Sequence, residues 1–327
     1  MEIEQVDSFI LERTNANRIT NRIEVQSLWS GYGSIQRVNL DGGEFSSIVV
    51  KHVQPGRGAH PRGWNTDLSH QRKLKSYQVE TNWYDSQKNN AGDNLARIPV
   101  CFGTQREGDE VFLILEDLDA SDFAGRRSLV NQSEWKSCVR WLAAFHAEYL
   151  GVAPEGLWEN GTYWHLETRP DELERLDDHS LKKAALAIDT KLKTNKFQSL
   201  VHGDSKLANF CFNSDGTRVA AVDFQYVGGG CGMKDLAYFV GSCFRDEDAE
   251  EIEVEVVNYY FAEFRKSLAR INSEVSGNEV EETWRPLYRV AWADFHRFMK
   301  GWSPGHWKLS DYSERVTREV IRNLSEA

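Results

Sequence analysis

The stretch from Ser199 to Phe244, reading SLVHGDSKLANFCFNSDGTRVAAVDFQYVGGGCGMKDLAYFVGSCF, constrains the fold of this chain more than any other. Two short β-branched or aromatic runs, Ser199 to Val201 and Asn209 to Asn213, flank a polar loop that carries Asp204, Lys206 and Asn209, and a third run, Val219 to Asp223, ends on another carboxylate. Asp215-Gly216 is a strong hairpin signal, so the second and third runs are expected to pair antiparallel and bring Asn209 close to Asp223. Two carboxylates and an amide gathered in this way suit a hard cation. Magnesium prefers oxygen ligands, keeps several waters and takes only one or two carboxylates from a protein, with phosphate oxygens filling the remaining positions. Such a loop suits a metal-nucleotide.

The rest of the chain sets the bounds. Its 327 residues suffice for one large domain or two lobes, and for a core that needs no disulfide staples. Cys101, Cys138, Cys211, Cys231 and Cys243 are odd in number, widely spaced and without a C-x-x-C pair, which reads as reduced core thiols in a reducing compartment. Glu2, Glu4, Asp7 and Glu12 crowd the start of the chain, and no apolar run is long enough to span a bilayer. The expectation is therefore no signal peptide, no membrane partner and a cytoplasmic location. A formal net charge of −11 disfavours nucleic acid or an anionic membrane as partner and leans toward cationic or neutral ligands.

In chain order, Glu4 to Arg13 reads as a helix with Val6, Phe9 and Ile10 on one face. Ile23 to Leu28, Ile35 to Leu40 and Phe45 to Val53 read as strands, the last two joined by the turn Asp41-Gly42-Gly43. Between the first two lies Trp29-Ser30-Gly31-Tyr32-Gly33-Ser34, whose glycines serve either a plain turn or the close approach of backbone amides to phosphates. Lys51 ends the third strand, either as a solvated strand end or as a functional cation. Pro55 to Gly63 reads as a loop, and about Asp67 to Lys88 as a long helix with Leu74, Tyr77, Glu80, Trp83 and Tyr84 near one face. A carboxylate on that face is costly to bury without a partner. Lys51 is the available one, and solvent is the alternative. Val100 to Gln105 and Val111 to Glu116 then form a second hairpin around Glu107-Gly108-Asp109, leaving through the polar link that begins at Asp117.

Further on the periodicity is helical. Trp135, Val139, Leu142, Phe145 and Tyr149 mark a core helix over Ser133 to Leu150, with Ser133 as its N-cap and His146 as a structural histidine. Asp171 to Asp178, Leu181 to Lys193, Asp246 to Ile271, Glu279 to Lys300 and Asp311 to Asn323 read as further helices. Strands come first and helices follow, with one small β insertion carrying the carboxylates. That order predicts a two-lobed α+β arrangement.

HGDSKLAN at His202 to Asn209, Asp223-Phe224-Gln225, Lys51, Glu80 and the LILEDL link together resemble the protein-kinase-like superfamily, and more narrowly the small-molecule kinases of the aminoglycoside phosphotransferase and choline kinase group. Within that group, SKLANF, VDFQ and DLAYFVGS are most similar to the ecdysteroid-kinase-like branch. The resemblance spans roughly Ile23 to Met299 and is sharpest from Val201 to Phe244. It implies a protein-kinase-like fold, with an N-terminal nucleotide-binding lobe of antiparallel sheet plus helix over residues 1–118 and a mostly helical catalytic and acceptor-binding lobe over residues 119–327.

The same resemblance implies ATP and Mg2+ as cofactors and transfer of the γ-phosphate to a hydroxyl of a small-molecule acceptor. Asp204 would accept or orient the acceptor's proton, Lys206 would contact the transferring phosphate, and Asn209 and Asp223 would hold magnesium. Lys51 braced by Glu80 would meet nucleotide phosphates beneath the Gly31 and Gly33 turn, and Glu116, Asp117 and Leu118 would be the hinge beside the adenine. His202 would prop the loop and Asp235 would anchor it.

The chain also departs from the pattern. The turn over the nucleotide has only Gly31 and Gly33, fewer than the protein-kinase glycine pattern. Gly228-Gly229-Gly230-Cys231-Gly232 opens no Rossmann crossover and reads as a flexible turn, and no G-x-x-x-x-G-K-[ST] is present. An APE-like segment is missing after Asp223, which argues against protein substrates. Tyr288, Trp292, Asp294, Phe295, Trp302 and Trp307 form an aromatic and acidic group in the region that lines the acceptor site in this resemblance, with Trp292, Asp294 and Trp302 as its candidate contacts. At helical spacing the same group also reads as plain core. Two other classes stay open: a catalytically inactive kinase-like nucleotide-binding module, against which Lys51, Asp204, Asn209 and Asp223 are all intact, and a metal-dependent hydrolase built on Asp204 and Asp223 that would ignore ATP.

Overall fold

The computed structural model describes residues 3–28, 31–55, 67–87 and 95–326. Trp29 and Ser30 of the glycine turn, all but Pro55 of the loop expected over Pro55 to Gly63, and Lys88 at the end of the long helix lie outside these residues.

The first lobe is built on a five-stranded antiparallel sheet of order β1-β2-β3-β5-β4, with β1 Arg18–Ser27, β2 Gly33–Asp41, β3 Ser47–Val53, β4 Cys101–Glu107 and β5 Glu110–Glu116. Side chains alternate across a strand, and the alternation here divides the apolar residues between two helices. Ile48 and Val50 of β3, with Phe112 and Ile114 of β5, face helix α1 (Ile3–Thr14) and pack on its Val6 and Ile10. Val53, Leu113 and Leu115 take the opposite face, toward Tyr77, Val79, Trp83 and Tyr84 of helix α2 (Asp67–Ser86). Lys51, two residues from Val53 and paired with Leu113, is thereby turned toward α2 and away from solvent.

The second lobe is helical: α3 Gln132–Glu148, α4 Pro170–Glu174, α5 His179–Lys193, α6 Met233–Cys243, α7 Asp246–Arg270, α8 Gly277–Trp284, α9 Leu287–Trp302 and α10 Asp311–Ser325. Two short ribbons are set among them. Strand β6 (Ser199–Val201) pairs with β9 (Gly228–Gly230), and β7 (Phe210–Phe212) pairs with β8 (Val219–Ala221), each antiparallel. The α+β, two-lobed architecture expected from the chain is the one observed. Among the described residues no helix is long and apolar enough to cross a membrane, and the five cysteines form no disulfide, four of them being buried.

Several boundaries differ from expectation. The N-cap of α3 is Asn131 and not Ser133: Asn131 Oδ1 accepts from the Glu134 amide while Glu134 accepts from the Asn131 amide, a reciprocal capping box that starts the helix earlier. The single helix expected over Glu279 to Lys300 is two, α8 and α9, because Pro286 has no amide to donate and its ring would strike the carbonyl one turn back. The helix expected over Asp171 to Asp178 is shorter, and β1 begins at Arg18, earlier than Ile23. The expected flexible turn at Gly228 to Gly230 is a strand, largely buried. A Cβ on Gly228 would lie 2.2 Å from the Trp158 carbonyl oxygen, so glycine is there to admit a neighbouring backbone.

Candidate active site

The loop after β6 is held from beneath by one carboxylate. Asp235, fully buried in the first turn of α6, accepts from the amides of His202 at 2.6 Å and Gly203 at 3.0 Å and from the Ser205 hydroxyl at 3.1 Å. Burial alone would raise its pKa, but His146, 3.1 Å away, and His202 outweigh that and hold it below the usual carboxylate range. His146 is fully buried and shares its other nitrogen with the Tyr260 hydroxyl at 2.8 Å, in keeping with a structural histidine. Gly203 has φ +79°, and a Cβ there would lie 2.1 Å from the Tyr226 carbonyl oxygen, which accounts for the glycine before Asp204.

His202 ties this loop to the neighbouring one. Its Nδ1 accepts from the Asp204 amide at 3.2 Å, which leaves Nε2 to donate to the Val222 carbonyl at 3.0 Å. Burial lowers its pKa, against the pull of Asp235, Asp204 and Asp223. Asn209 ends one turn of 3-10 helix, and its backbone carbonyl accepts from Val222 at 3.0 Å. Asp223 follows β8 with φ +71°, a conformation a non-glycine residue seldom holds. The two residues therefore sit off the ends of paired strands, on one side of the hairpin.

Asp204 is surrounded by donors. Lys206 Nζ donates to its Oδ2 at 2.7 Å, Asn209 Nδ2 to the same oxygen at 3.2 Å, and the Tyr238 hydroxyl to Oδ1 at 3.2 Å. Asp223 Oδ1 accepts from Gln225 at 2.8 Å and lies 3.6 Å from Lys51 Nζ. The environments push the two carboxylates apart. Burial raises Asp204, against the pull of Lys206 and with the help of the Asp223 charge. Burial acts the same way on Asp223, but Lys51, Lys206 and His202 outweigh it and keep it below its usual range. A carboxylate able to take a proton thus stands beside one that stays charged.

Lys51 and Glu80 form a buried pair with Nζ to Oε2 at 2.7 Å. Burial works against the Lys51 charge, and Glu80 and Asp223 more than restore it, leaving its pKa raised. Gln225 accepts from Ser76 of α2 at 3.3 Å, and Phe224 stacks on Trp83 of α2 with centroids 5.0 Å apart, so α2 braces both Lys51 and the Asp223 loop.

Asn209 Oδ1 and Asp223 Oδ2 accept no hydrogen bond among the described residues. One amide and one carboxylate oxygen on the same side of a hairpin are a fitting partial set for magnesium, which wants hard oxygens and leaves room for phosphate and water.

The other expected residues fall as follows. Gly33 opens β2 opposite Val53, and the Gly31 amide is engaged by the Leu28 carbonyl at 3.2 Å. Glu116 ends β5 with its carboxylate on Arg97 at 2.6 Å and the Val100 amide at 2.9 Å. Asp117 accepts from Arg37 at 2.6 Å and Ser47 at 2.7 Å. Leu118 is buried against Phe123, Cys211 and Ala220. The expected acceptor group is divided. Trp292 is inside the main core against Tyr312 and Gly241, and Asp294 is buried with its carboxylate on Trp164 Nε1 at 3.0 Å and Arg297 at 2.9 Å. Helical spacing turned both inward. Trp307 is exposed, and Trp302 is half-buried, stacked on Phe298 in a smaller aromatic cluster that reaches Tyr238 and so Asp204. Tyr238 and Gln225, each with a hydrogen bond to a site carboxylate, were not singled out by residue type, although both lie within the motifs that carry the resemblance.

A lysine of the sheet-based lobe thus reaches a hairpin carboxylate of the helical lobe, in a chain whose fold is that of the kinase-like small-molecule phosphotransferases. The ecdysteroid kinase-like family model matches residues 47–153 and 158–273, more than half of the chain, and the protein belongs to that family. No curated protein matches it in sequence. Among solved structures, an amicoumacin kinase in complex with AMP-PNP and Ca2+ is similar at 12% identity and a TM-score of 0.54, over 99% of this chain and 94% of that one. A thermostable mutant of an aminoglycoside phosphotransferase, in a ternary complex with AMP-PNP and hygromycin B, is similar at 10% identity and 0.51, over 97% and 98%. A microcompartment-associated aminopropanol kinase is similar at 14% identity and 0.50, over 98% and 94%. At these identities the likeness is one of fold.

Proposed function

We propose that this protein transfers the γ-phosphate of ATP to a hydroxyl of a small molecule, in a cleft between a nucleotide-binding lobe, residues 1–118, and a catalytic and acceptor-binding lobe, residues 119–327. The observation that carries this reading is the approach of Lys51, braced by Glu80 at 2.7 Å, to within 3.6 Å of Asp223 in the other lobe. Phosphoryl transfer asks a protein chiefly for alignment and charge neutralisation, and a base, two cations and two metal ligands supply both.

Asp204 accepts the acceptor's hydroxyl proton as that oxygen bonds to the γ-phosphorus; the bond from this phosphorus to the β–γ bridging oxygen breaks, and its electron pair leaves with ADP. Its raised affinity for a proton suits that task. Lys206 steadies Asp204 and faces the transferring phosphate. Asn209 and Asp223 would hold Mg2+, which when bound neutralises phosphate charge. Lys51 pairs with nucleotide phosphates, Gly31 and Gly33 keep the turn above them free of side chains, and the backbone of Glu116, Asp117 and Leu118 meets the adenine. Trp302, and not Trp292 or Asp294, belongs to the acceptor side.

Thermal denaturation with and without millimolar Mg-ATP tests the reading. Ligand at about a hundred times its dissociation constant adds about 2.7 kcal/mol and raises Tm. An unchanged Tm would sink the proposal. A Tm shift without ATP consumption across alcohols, amino-sugars, choline analogues and sterols would favour the inactive nucleotide-binding module.

A further inference from the structure

A second group of ligand-bearing side chains lies outside the catalytic hairpin, where the short 3-10 turn Leu166–Thr168 meets α5. A ring nitrogen of His165 and one carboxylate oxygen each of Glu167 and Asp189 all stand within 4.8 Å of one another. His165 is buried, and its Nε2, although 3.2 Å from Asp189 Oδ1, makes no hydrogen bond. A buried polar atom in that condition calls for a water or an ion. On the outer side of the group Lys193 Nζ bridges Glu167 Oε1 at 2.6 Å and Asp189 Oδ2 at 3.0 Å. The two carboxylates are thus already gathered around one positive charge. Lys193 sits in the last turn of α5 with its side chain 25% exposed, on a flexible stem that can withdraw into solvent without disturbing the core. Lys234, the other lysine on which Asp189 acts, is turned to the Gly161 carbonyl at 3.3 Å.

We infer that His165, Glu167 and Asp189 form a binding site for Zn2+, in which the metal takes the place of the Lys193 ammonium and keeps its fourth position for water. Zinc binds imidazole nitrogen and carboxylate oxygen at about 2.0–2.2 Å in a tetrahedral shell, which puts neighbouring ligand atoms about 3.4 Å apart. His165 and Asp189 stand at nearly that separation, and Glu167, whose side chain is 64% exposed, can move to close the remainder. A nitrogen ligand selects zinc over magnesium, which demands an octahedral oxygen shell. Two carboxylates balance a divalent charge once the ammonium has left, so the metal adds no net charge beside Lys234. Zinc held here would tie the 3-10 turn to α5. Tyr163, two residues before His165, donates its amide to the Gly203 carbonyl at 3.2 Å, so the tied segment is one that supports the catalytic loop. The site itself is independent of the phosphotransferase chemistry.

The test uses the full chain stripped with EDTA and titrated with Zn2+ alone, by calorimetry and by Tm, with Co2+ as a spectroscopic stand-in. The wild type should take up zinc with a rise in Tm. Glu167→Gln, a change at an exposed side chain that leaves the fold intact, should weaken zinc binding at least tenfold, and His165→Asn should do the same and abolish the visible absorption of the Co2+ form. Lys193→Met separates a metal site from a plain ion-pair network. Without its ammonium the two carboxylates lose their cation, so this variant should be less stable than wild type in EDTA, bind zinc at least tenfold more tightly and recover its Tm when zinc is added. Asp223→Ala, which removes a carboxylate of the catalytic hairpin, should bind zinc as the wild type does. The inference is overturned if the wild type takes up no zinc, if Glu167→Gln and His165→Asn bind it as tightly as wild type, if Asp223→Ala alone loses it, or if zinc leaves the Lys193→Met Tm where EDTA put it.

Discussion

The Tyr238 hydroxyl donates to one oxygen of Asp204 at 3.2 Å while Lys206 donates to the other at 2.7 Å, so the Asp204 carboxylate is fixed at both ends. A fixed carboxylate whose proton affinity is raised by burial is suited to take a proton from an incoming hydroxyl. Asp204→Asn keeps the shape and the Asn209 contact but cannot accept that proton. The expected outcome is a fall in kcat of about 10²–10⁴, the usual contribution of a general base, with the dissociation constant for Mg-ATP within about threefold of wild type. Steady-state ATP consumption and calorimetric titration of the nucleotide check the two halves separately. Equal turnover in the variant would remove Asp204 from its proposed role.

Lys51 and Glu80 make a buried pair, and Glu80 without Lys51 would be a buried charge that has lost its ion-pair partner. Breaking such a pair from one side costs about 3–5 kcal/mol, whereas replacing both members by apolar residues of similar volume is often neutral. Glu80→Leu and Lys51→Met should each lower stability in urea denaturation by that order, Glu80→Leu less because Lys51 keeps Asp223 at 3.6 Å, whereas Lys51→Met takes the cation from both carboxylates. The double variant should recover most of the loss. Nucleotide affinity should not recover with it, since the phosphates would still lack Lys51. Recovery of both together would mean that the pair is structural only.

Gly228 sits where a Cβ would approach the Trp158 carbonyl oxygen to 2.2 Å and that residue's own Cβ to 2.7 Å. Neither neighbour is the free end of a flexible side chain, so the backbone must move. Gly228→Ala is expected to lower stability by about 3 kcal/mol, at the upper end of overpacking costs. Gly305 has nothing within 4 Å of its own Cβ position and no left-handed backbone, and makes the control. Chemical denaturation of Gly228→Ala beside Gly305→Ala measures the difference, and similar values for the two would refute the close-packing account of β9.

What could be read from the chain follows from how locally each feature is determined. Asn209 and Asp223 flank one hairpin whose Asp215-Gly216 turn sets the pairing, and Asp204 lies in the loop just before it, so their convergence needed no knowledge of distant packing. The Lys51–Glu80 pair was legible because strand parity and helix spacing each point one of them inward. Other features depend on what arrives from elsewhere. The glycines of β9 looked like a flexible turn because the backbone of Trp158 that requires them is far away in sequence. Trp292 and Trp302 share the same helix and similar chemistry, and only the placement of α10 and Tyr312 shows that one is core while the other reaches the aromatic cluster by the cleft.

A carboxylate away from the cleft gives a prediction independent of activity. Asp189 of α5 is buried between His165 at 3.2 Å and Lys193 at 3.0 Å. Burial raises its pKa, but the contacts with His165 and Lys193 outweigh that and bring it to about 2. A carboxyl in the unfolded chain titrates near pH 3.9, so the folded state binds this proton more weakly than the unfolded state does. The stabilisation is therefore complete above about pH 5 and is lost as the pH falls toward 2, with a size of about 2.6 kcal/mol. Asp189→Asn should be less stable than wild type at pH 6, and the gap should close as urea denaturation is repeated at pH 5, 4 and 3. A gap that stays constant over this range would mean that the shape of the side chain, and not its charge, is what α5 requires.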